Sequence, residues 1–371
     1  MRRLAILFMA TGAVLGITGT ARASSGTEAP TDDASIENTA VGLEPVDVLQ
    51  VSGLMDSIVV DAIVEAIDRA ESNGAQALVL QLNSKAAVVD RDTMQDLYER
   101  VRDANVPIAI WVGPSGARAT GLPAQLLSAA DATGMAPGAR IGRTGTPLVD
   151  GVDFGEATDT LRTDTLGFQD ARRAGALKLE ISDEGAPTIR NMVFALDGLT
   201  IDGVELDTAV ENLDDDGTVA NDITTVRFHK LGLWPQMLHT SASPPVAYLF
   251  LIIGLALIVF EFFTAGIGVA GVVGAALTLL GFYGFGALPE RGWALVLLLF
   301  SYVAFSIDVQ VGLPRLWTGI GLTAFTLGSI FLFPTYDQQN LRMSWLTLLV
   351  GIGGIALTYI SVSYTHLTLP T

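Results

Sequence analysis

Apolar residues follow two regimes along this chain. Between Val46 and Lys230 they come in short blocks separated by polar runs; from Pro244 onward they are nearly continuous. In the first regime, Val46–Val51 has the character of a short strand. Ser57–Glu71 places Ile58, Ala62, Ile63, Ala66 and Ile67 on one face of a 3.6-residue period, which predicts a helix. Ala77–Leu82 reads as a buried strand. Asp90–Asp103 predicts an amphipathic helix with Met94, Leu97 and Val101 inward. Val106–Val112 is another apolar strand, closed by the turn Gly113-Pro114-Ser115-Gly116. This strand–helix–strand order implies right-handed βαβ units and a mainly parallel sheet, an α/β domain over residues 46–230.

In the second regime, five apolar stretches approach membrane-spanning length: Val246–Thr264, Ile267–Gly286, Gly292–Ile307, Leu316–Phe333 and Ser344–Val362, the third and fourth being short. They predict an α-helical transmembrane domain over 246–362, joined to the first domain by a linker at 231–245. Gly266, Ala270 and Gly274 put a small residue at every fourth position, which suits close helix packing. The second pair of stretches reads as a decayed repeat of the first at an offset of roughly 45 residues by the same span-length reading. Glu261 and Asp308 are ionisable residues inside apolar stretches, a pattern that points to function by default; against it, both lie near a stretch end, where a carboxylate reaches the interface. At the other terminus, Arg2 and Arg3, apolar Leu4–Ile17 and the small-residue run Ala21-Arg22-Ala23 have the order of a secretory signal peptide, with cleavage expected after Ala23 and an uncleaved anchor as the alternative. Residues 24–45 are polar and read as a disordered linker.

Composition narrows the functional classes. The 371 residues are 50% hydrophobic, with a mean hydropathy of +0.47, more apolar than an ordinary soluble domain. The net charge is −18, and Ser24–Ser243 alone carries 35 acids against 15 bases, which excludes the basic footprint of a nucleic-acid binder. The absence of cysteine excludes disulfides, thiolate nucleophiles and iron–sulfur ligation, and three histidines, His229, His239 and His366, are too few to suggest a metal site. No cofactor or metal is expected. The exported acidic domain sets the topology: a multi-pass cell-membrane protein with residues 46–230 extracytoplasmic and, given five spans, the C-terminus in the cytoplasm.

The segment Pro244–Pro289, with Glu261 near the end of the first stretch and the break Gly266-Ile267-Gly268-Val269-Ala270-Gly271 before the second, resembles the membrane region of NfeD-type proteins. The soluble domain resembles the ClpP/crotonase-like serine protease domain of that family through Gly116-Ala117-Arg118-Ala119, Ala129-Ala130-Asp131 and Met135-Ala136-Pro137-Gly138-Ala139-Arg140-Ile141-Gly142. The resemblance covers about Val46 to Phe333. It implies a serine nucleophile activated by a lysine, with the backbone amides of a Gly-Gly turn as oxyanion hole. Such a lysine must be desolvated so that it can accept the serine proton, and glycine lets the backbone approach the substrate closely. It also implies self-association, and partners of the stomatin/SPFH type whose apolar segments the family proteases cut. Many members carry a small cytosolic OB-like β-barrel after the last span; here Ser363–Thr371 fits neither a span nor barrel strands and reads as artefactual sequence.

Position by position, the implied catalytic groups are replaced. The register fixed by the flanking motifs puts the nucleophile at Gly121, which has no side chain oxygen, with Thr120 one residue off. The oxyanion glycines fall on Ala86 and Ala87, in Leu82-Asn83-Ser84-Lys85-Ala86-Ala87. The lysine falls, in a looser alignment, on Arg162, which stays protonated and cannot act as a base. Other serines have simpler readings: Ser115 as turn chemistry, Ser84 beside Lys85 as a solvated loop, Ser128 as packed. Without a histidine between residues 46 and 228, a Ser-His-Asp triad is unsupported. His229 and His239 are expected in the approach to the membrane, and Asp214-Asp215-Asp216-Gly217 as a solvated turn without the ligand spacing of a calcium loop. Two functions follow from the resemblance: a non-catalytic protein that binds or scaffolds membrane partners, or a membrane-bound serine endopeptidase working through displaced residues. Repair of the first site would need Gly121→Ser, Arg162→Lys, Ala86→Gly and Ala87→Gly together, since such groups act as a unit.

Overall fold

A computed structural model describes residues 43–179, 184–213, 219–264, 268–311, 316–336 and 339–368. The signal peptide, nearly all of the 24–45 linker, the Asp214–Gly217 turn and Gly266 lie outside the described residues. The soluble domain opens with β1 (Val46–Met55), α1 (Ser57–Ser72), β2 (Ala77–Ala87), α2 (Arg91–Arg102), β3 (Ile108–Val112), β4 (Arg118–Thr120), α3 (Leu122–Ala129), β5 (Ala132–Met135) and β6 (Arg140–Gly142). Both amphipathic helices start at aspartate caps: Asp56 accepts from the Val59 amide at 3.0 Å and Asp90 from the Thr93 amide at 2.8 Å. α4 (Thr158–Thr163), β7 (Thr165–Gly167), α5 (Phe168–Arg173) and α6 (Ile189–Phe194) follow, then two small hairpins, and finally β12 (Val226–His229), the strands between being β8 (Thr200–Ile201), β9 (Val204–Glu205), β10 (Ala209–Leu213) and β11 (Val219–Ile223).

Eight strands form one sheet in which β2 is the branch point. It pairs in parallel with β1, with β3 through Leu82, and beyond that with β4 at Ser84↔Ala119. One branch continues β3–β5, the other β4–β6–β7, and β12 closes the far edge against β1. Only β6–β7 is antiparallel among these pairs, so the expected mainly parallel α/β sheet is present. β3 is buried at all five positions, which explains why its sequence reads as an unbroken apolar run.

Three expectations are corrected. β2 does not stop at Leu82 but runs to Ala87, because its second half has its own partners in β1 and β4. The 231–245 linker holds a helix, α7 (Leu233–Ser241). His229 sits in the sheet, opposite Leu49 on β12, and not in the approach to the membrane.

The second part comprises α8 (Pro244–Thr264), α9 (Val269–Ala287), α10 (Gly292–Val311), α11 (Leu316–Phe331) and α12 (Trp345–Thr368), with a two-strand turn, β13 (Thr335–Tyr336) and β14 (Gln339–Asn340), before α12. The first three are long and apolar enough to cross a membrane; Leu316–Phe331 and the apolar part of α12, Trp345–Ile360, are shorter. Residues 363–368, expected as a separate tail, continue α12, since neither glycine nor proline occurs from Ile355 to Leu369.

These helices pack as two hairpins, α8–α9 and α10–α11, and the contacts repeat at 47 positions. A Cβ on Gly281 would stand 2.8 Å from the Leu251 nitrogen and 3.2 Å from the Ala247 oxygen; one on Gly328 would stand 3.0 Å from the Leu298 nitrogen and 2.8 Å from the Ala294 oxygen. Gly274 and Gly321 pack likewise, against Ile258 and Phe305. At Gly274, Gly281 and Gly328 a Cβ would meet the facing helix's backbone, whereas at Gly321 it would meet the Phe305 ring at 2.9 Å. Among the described residues the close backbone packing of α9 on α8 falls on Gly274 and Gly281, one heptad apart; Gly266 of the expected stripe lies outside them. Glu261 and Asp308 occupy equivalent places in the two copies.

Candidate functional site

The C-terminal ends of β2 and β4 and the start of α3 bring the expected nucleophile position, Gly121, and the expected oxyanion positions, Ala86 and Ala87, into one neighbourhood. Thr120 is buried and donates to the Lys85 carbonyl at 2.7 Å, tying β4 to the end of β2. Gly121 follows as the N-cap of α3, with φ 72° and ψ −147°. Its amide donates to Gly142 at 3.2 Å and its carbonyl accepts from Ala124 at 3.1 Å. That backbone conformation is essentially reserved for glycine. Gly121 is also buried.

Ala86 and Ala87 are each 3% exposed and lie in extended strand. Ala87 pairs with Met55, and the next amide, Val88, donates to the Met55 carbonyl at 2.9 Å. No turn forms at 86–87: among the described residues the non-glycine positions with positive φ are Arg143 and Asp202. A substrate carbonyl therefore finds no pair of free glycine amides at this place. The site also faces the membrane helices, for Val88 and Leu54 pack against their apolar core.

Arg162 lies on α4, whose end is held beside β6 by Arg143 donating to Asp164 and Thr144 to Leu161, at 2.9 and 2.8 Å. The segment is thus near Gly142 and Gly121. The Arg162 side chain, however, is 48% exposed and pairs with Asp159 at 3.5 Å. It is a solvated cation, not a desolvated base.

Each of the other serines spends its hydroxyl on a backbone carbonyl. Ser84 is fully buried in β2 and donates to Ala86 at 3.3 Å, which corrects the solvated-loop expectation: the alternation of the extended strand turns Ser84 inward and Lys85 outward. Ser115 donates to Pro137 in the expected turn. Ser128 donates to Gln125 at 2.8 Å and lies 3.0 Å from the Tyr98 hydroxyl.

Two groups were not picked out from the sequence. Lys178 donates to the carbonyls of Ser128, at 3.1 Å, and Ala130. Burial of its amine holds its pKa below the ordinary lysine value, while Asp131 draws it back up. Gln125 is fully buried on α3, donates to Thr144 and Thr146 at 2.7 and 2.9 Å, and accepts from the Leu148 amide at 2.7 Å. It fastens the segment after β6 over α3. No spacing rule marks either residue; only the fold brings their partners within reach.

The membrane acids act as clasps. Glu261 accepts from the Gly268 amide at 2.5 Å, across the turn from α8 to α9. Asp308 accepts from Thr318 at 2.6 Å and from Tyr359 of α12 at 2.5 Å. No group of three or more metal-binding side chains occurs among the described residues.

Residues 245–363 match the NfeD integral membrane domain family, past Phe333 and through most of α12. The chain is 22% identical over 324 residues to the membrane-bound protease PH1510 of Pyrococcus horikoshii, covering 80% of this chain and 70% of that protein. Among solved structures, the 1510-N membrane-bound stomatin-specific protease in complex with a substrate peptide aligns at 18% identity and a TM-score of 0.41, covering 54% of this chain and 98% of the other. The 1510-N membrane protease specific for a stomatin homolog from Pyrococcus horikoshii aligns at 20% identity and 0.40, covering 53% and 98%. The chain is thus similar to NfeD-type membrane proteins, with the NfeD integral membrane domain match lying behind an α/β domain built on a mainly parallel sheet.

Proposed function

We propose that this NfeD-type membrane protein is non-catalytic and binds or scaffolds membrane partners of the stomatin/SPFH type. The observation that carries the reading is the state of the nucleophile position: Gly121 is buried, bears no oxygen, and keeps a backbone conformation that glycine alone adopts freely. The strand conformation of Ala86 and Ala87 and the solvated Arg162 agree with it. The relative of known activity is named as a stomatin-specific protease; the partner class is carried over from it, the chemistry is not. In this reading the soluble domain is extracytoplasmic behind a cleaved signal peptide, and self-associates.

The second reading, an endopeptidase with displaced residues, has one observation in its favour: the Lys178 amine lies beside Ser128, with its pKa lowered. A working dyad needs the serine hydroxyl bonded to the lysine nitrogen, whereas Ser128 donates to Gln125. The test is labelling of the full chain in detergent by a serine-directed fluorophosphonate, together with cleavage of an apolar peptide. The non-catalytic reading expects neither. Turnover that disappears in Ser128→Ala and Lys178→Ala would establish the second reading, and capture of a stomatin-type protein without its cleavage supports the first.

A further inference from the structure

α7 is the covalent bridge from the last strand of the soluble domain to the first membrane helix, and it is held at its two sides very differently. Toward the membrane helices the fit is tight: a Cβ on Gly284 of α9 would stand 2.2 Å from the Ser241 carbonyl oxygen, and α8 begins after Ala242 and Ser243. Toward the soluble domain, clefts of about 320 Å³ and 480 Å³ flank the helix, the first bordered by Gln50, Leu54 and Gln236, the second by Ile58, Ala62 and Trp234. Among the described residues, one side chain of α7 makes the polar contacts across this gap. His239 Nδ1 lies 2.9 Å from Asp56 Oδ2, and His239 Nε2 lies 2.9 Å from the Ser52 carbonyl oxygen. The ring closes on bare backbone at Gly53, where φ is +94° and a Cβ would stand 2.8 Å from Nε2.

The two acceptors fix the charge of the ring. A carboxylate and a carbonyl only accept, so each nitrogen must carry a proton, and a neutral imidazole can donate through one nitrogen only. We propose that His239 is a protonation-dependent clasp that holds α7 against the soluble domain when charged and frees one of its two attachments when neutral. The hydrogen bond that His239 donates to the Asp56 carboxylate raises the His239 pKa above its ordinary value, against the opposing effect of burial. The clasp is therefore closed at acidic pH and opens as pH rises through that raised value. The other charged or titratable groups around it are Lys230, from the segment before α7, and Tyr283 of α9 near Asp56; Asp61, Glu65, Arg69 and His229 stand in the far cleft.

The chain has no cysteine, so Ser72→Cys on α1 and Gln236→Cys on α7 can carry a spin-label pair in the full protein reconstituted in bilayers. The expected result is a single narrow distance at pH 5.5 that broadens by pH 9. His239→Ala should lose the narrow distance at both pH values. Asp56→Asn, which can still cap α1, should move the transition to lower pH, and His229→Ala should leave it in place. A distance in the otherwise native protein that is the same at pH 5.5 and pH 9, or a transition that survives in His239→Ala or vanishes in His229→Ala, overturns the proposal.

Discussion

Placing a side chain at position 121 tests whether the nucleophile position still has the shape of a site. Gly121→Ala adds only a Cβ. With φ at 72° and ψ at −147°, that Cβ costs of order 1–3 kcal/mol in backbone strain. The usual effect of Gly→Ala at a compatible position has the opposite sign, a gain of about 0.4–1 kcal/mol from the stiffer unfolded chain. Gly121→Ser adds a hydroxyl at a buried position, costing a further ~1–3 kcal/mol unless it finds a partner. At about 2–4 °C per kcal/mol for a domain of this size, Ala should lower the melting temperature by several degrees and Ser by more. The assay is thermal unfolding of the soluble-domain transition in the detergent-solubilised full chain, followed by near-ultraviolet circular dichroism, with fluorophosphonate labelling on the same samples. The serine variant should remain unlabelled, since Arg162 offers no base. A neutral or stabilising Gly121→Ala would refute the backbone strain, and labelling of Gly121→Ser would refute the closed site.

Placing the family's residues at all four expected positions, Gly121→Ser with Arg162→Lys, Ala86→Gly and Ala87→Gly, should also yield no peptide cleavage: a lysine on the exposed Arg162 stem stays solvated and protonated. Turnover by the quadruple variant would overturn the placement of that side chain. Gln125→Leu strands the Thr144 carbonyl and the Leu148 amide, while the Thr146 carbonyl keeps Arg91, and should destabilise the soluble domain by roughly 2 kcal/mol or more in urea denaturation, at about 1–3 kcal/mol for each buried unpaired group. Gly281→Leu and Gly328→Leu should each disrupt the membrane part to a similar degree in a detergent melting assay, while Gly286→Leu, which meets nothing within 4 Å, should be nearly neutral; unequal losses from the first two would count against the repeat. Tyr359→Phe removes the hydroxyl that bonds Asp308 and Thr318 and should loosen α12 by about 1.5–3 kcal/mol, seen as faster amide exchange around position 359.

What could be read from the sequence depended on how strongly each segment buries its own pattern. α1, α2 and β3 were legible because one face, or the whole segment, enters the core, and the period of burial is the period of the sequence. β4, β6 and β7 were not, since a three-residue strand has too few positions to show alternation and exists only because its neighbour offers an edge, β2 to β4, β4 to β6 and β6 to β7. The end of β2 failed for a related reason: Asn83-Ser84-Lys85 is polar, yet Ser84 is buried because its hydroxyl is satisfied by the backbone two residues on. α7 was hidden by its exposure, with Leu233 and Trp234 open and little of the helix buried. Residue types at the candidate site could be read position by position, but not that Gly121 is enclosed or that Arg162 turns to solvent. Depth is a property of the fold.

The membrane acids show the same limit from the other side. An acid in an apolar stretch reads as chemistry when only its surroundings in sequence are visible. Glu261 and Asp308 stand 47 positions apart, in copies of one hairpin, each at the end of the first helix and each bonded forward into the second. A reactive group has no reason to recur at both copies with a backbone amide as partner in one and two hydroxyls in the other; a clasp does, because a carboxylate near the end of an apolar helix must be paired with whatever donors the neighbouring helices offer. The fifth helix then explains the difference between them, since Tyr359 reaches Asp308. The acid that marks the membrane segment is thus accounted for by hairpin geometry, and the case for function rests on the soluble domain and on how α7 couples it to the bilayer.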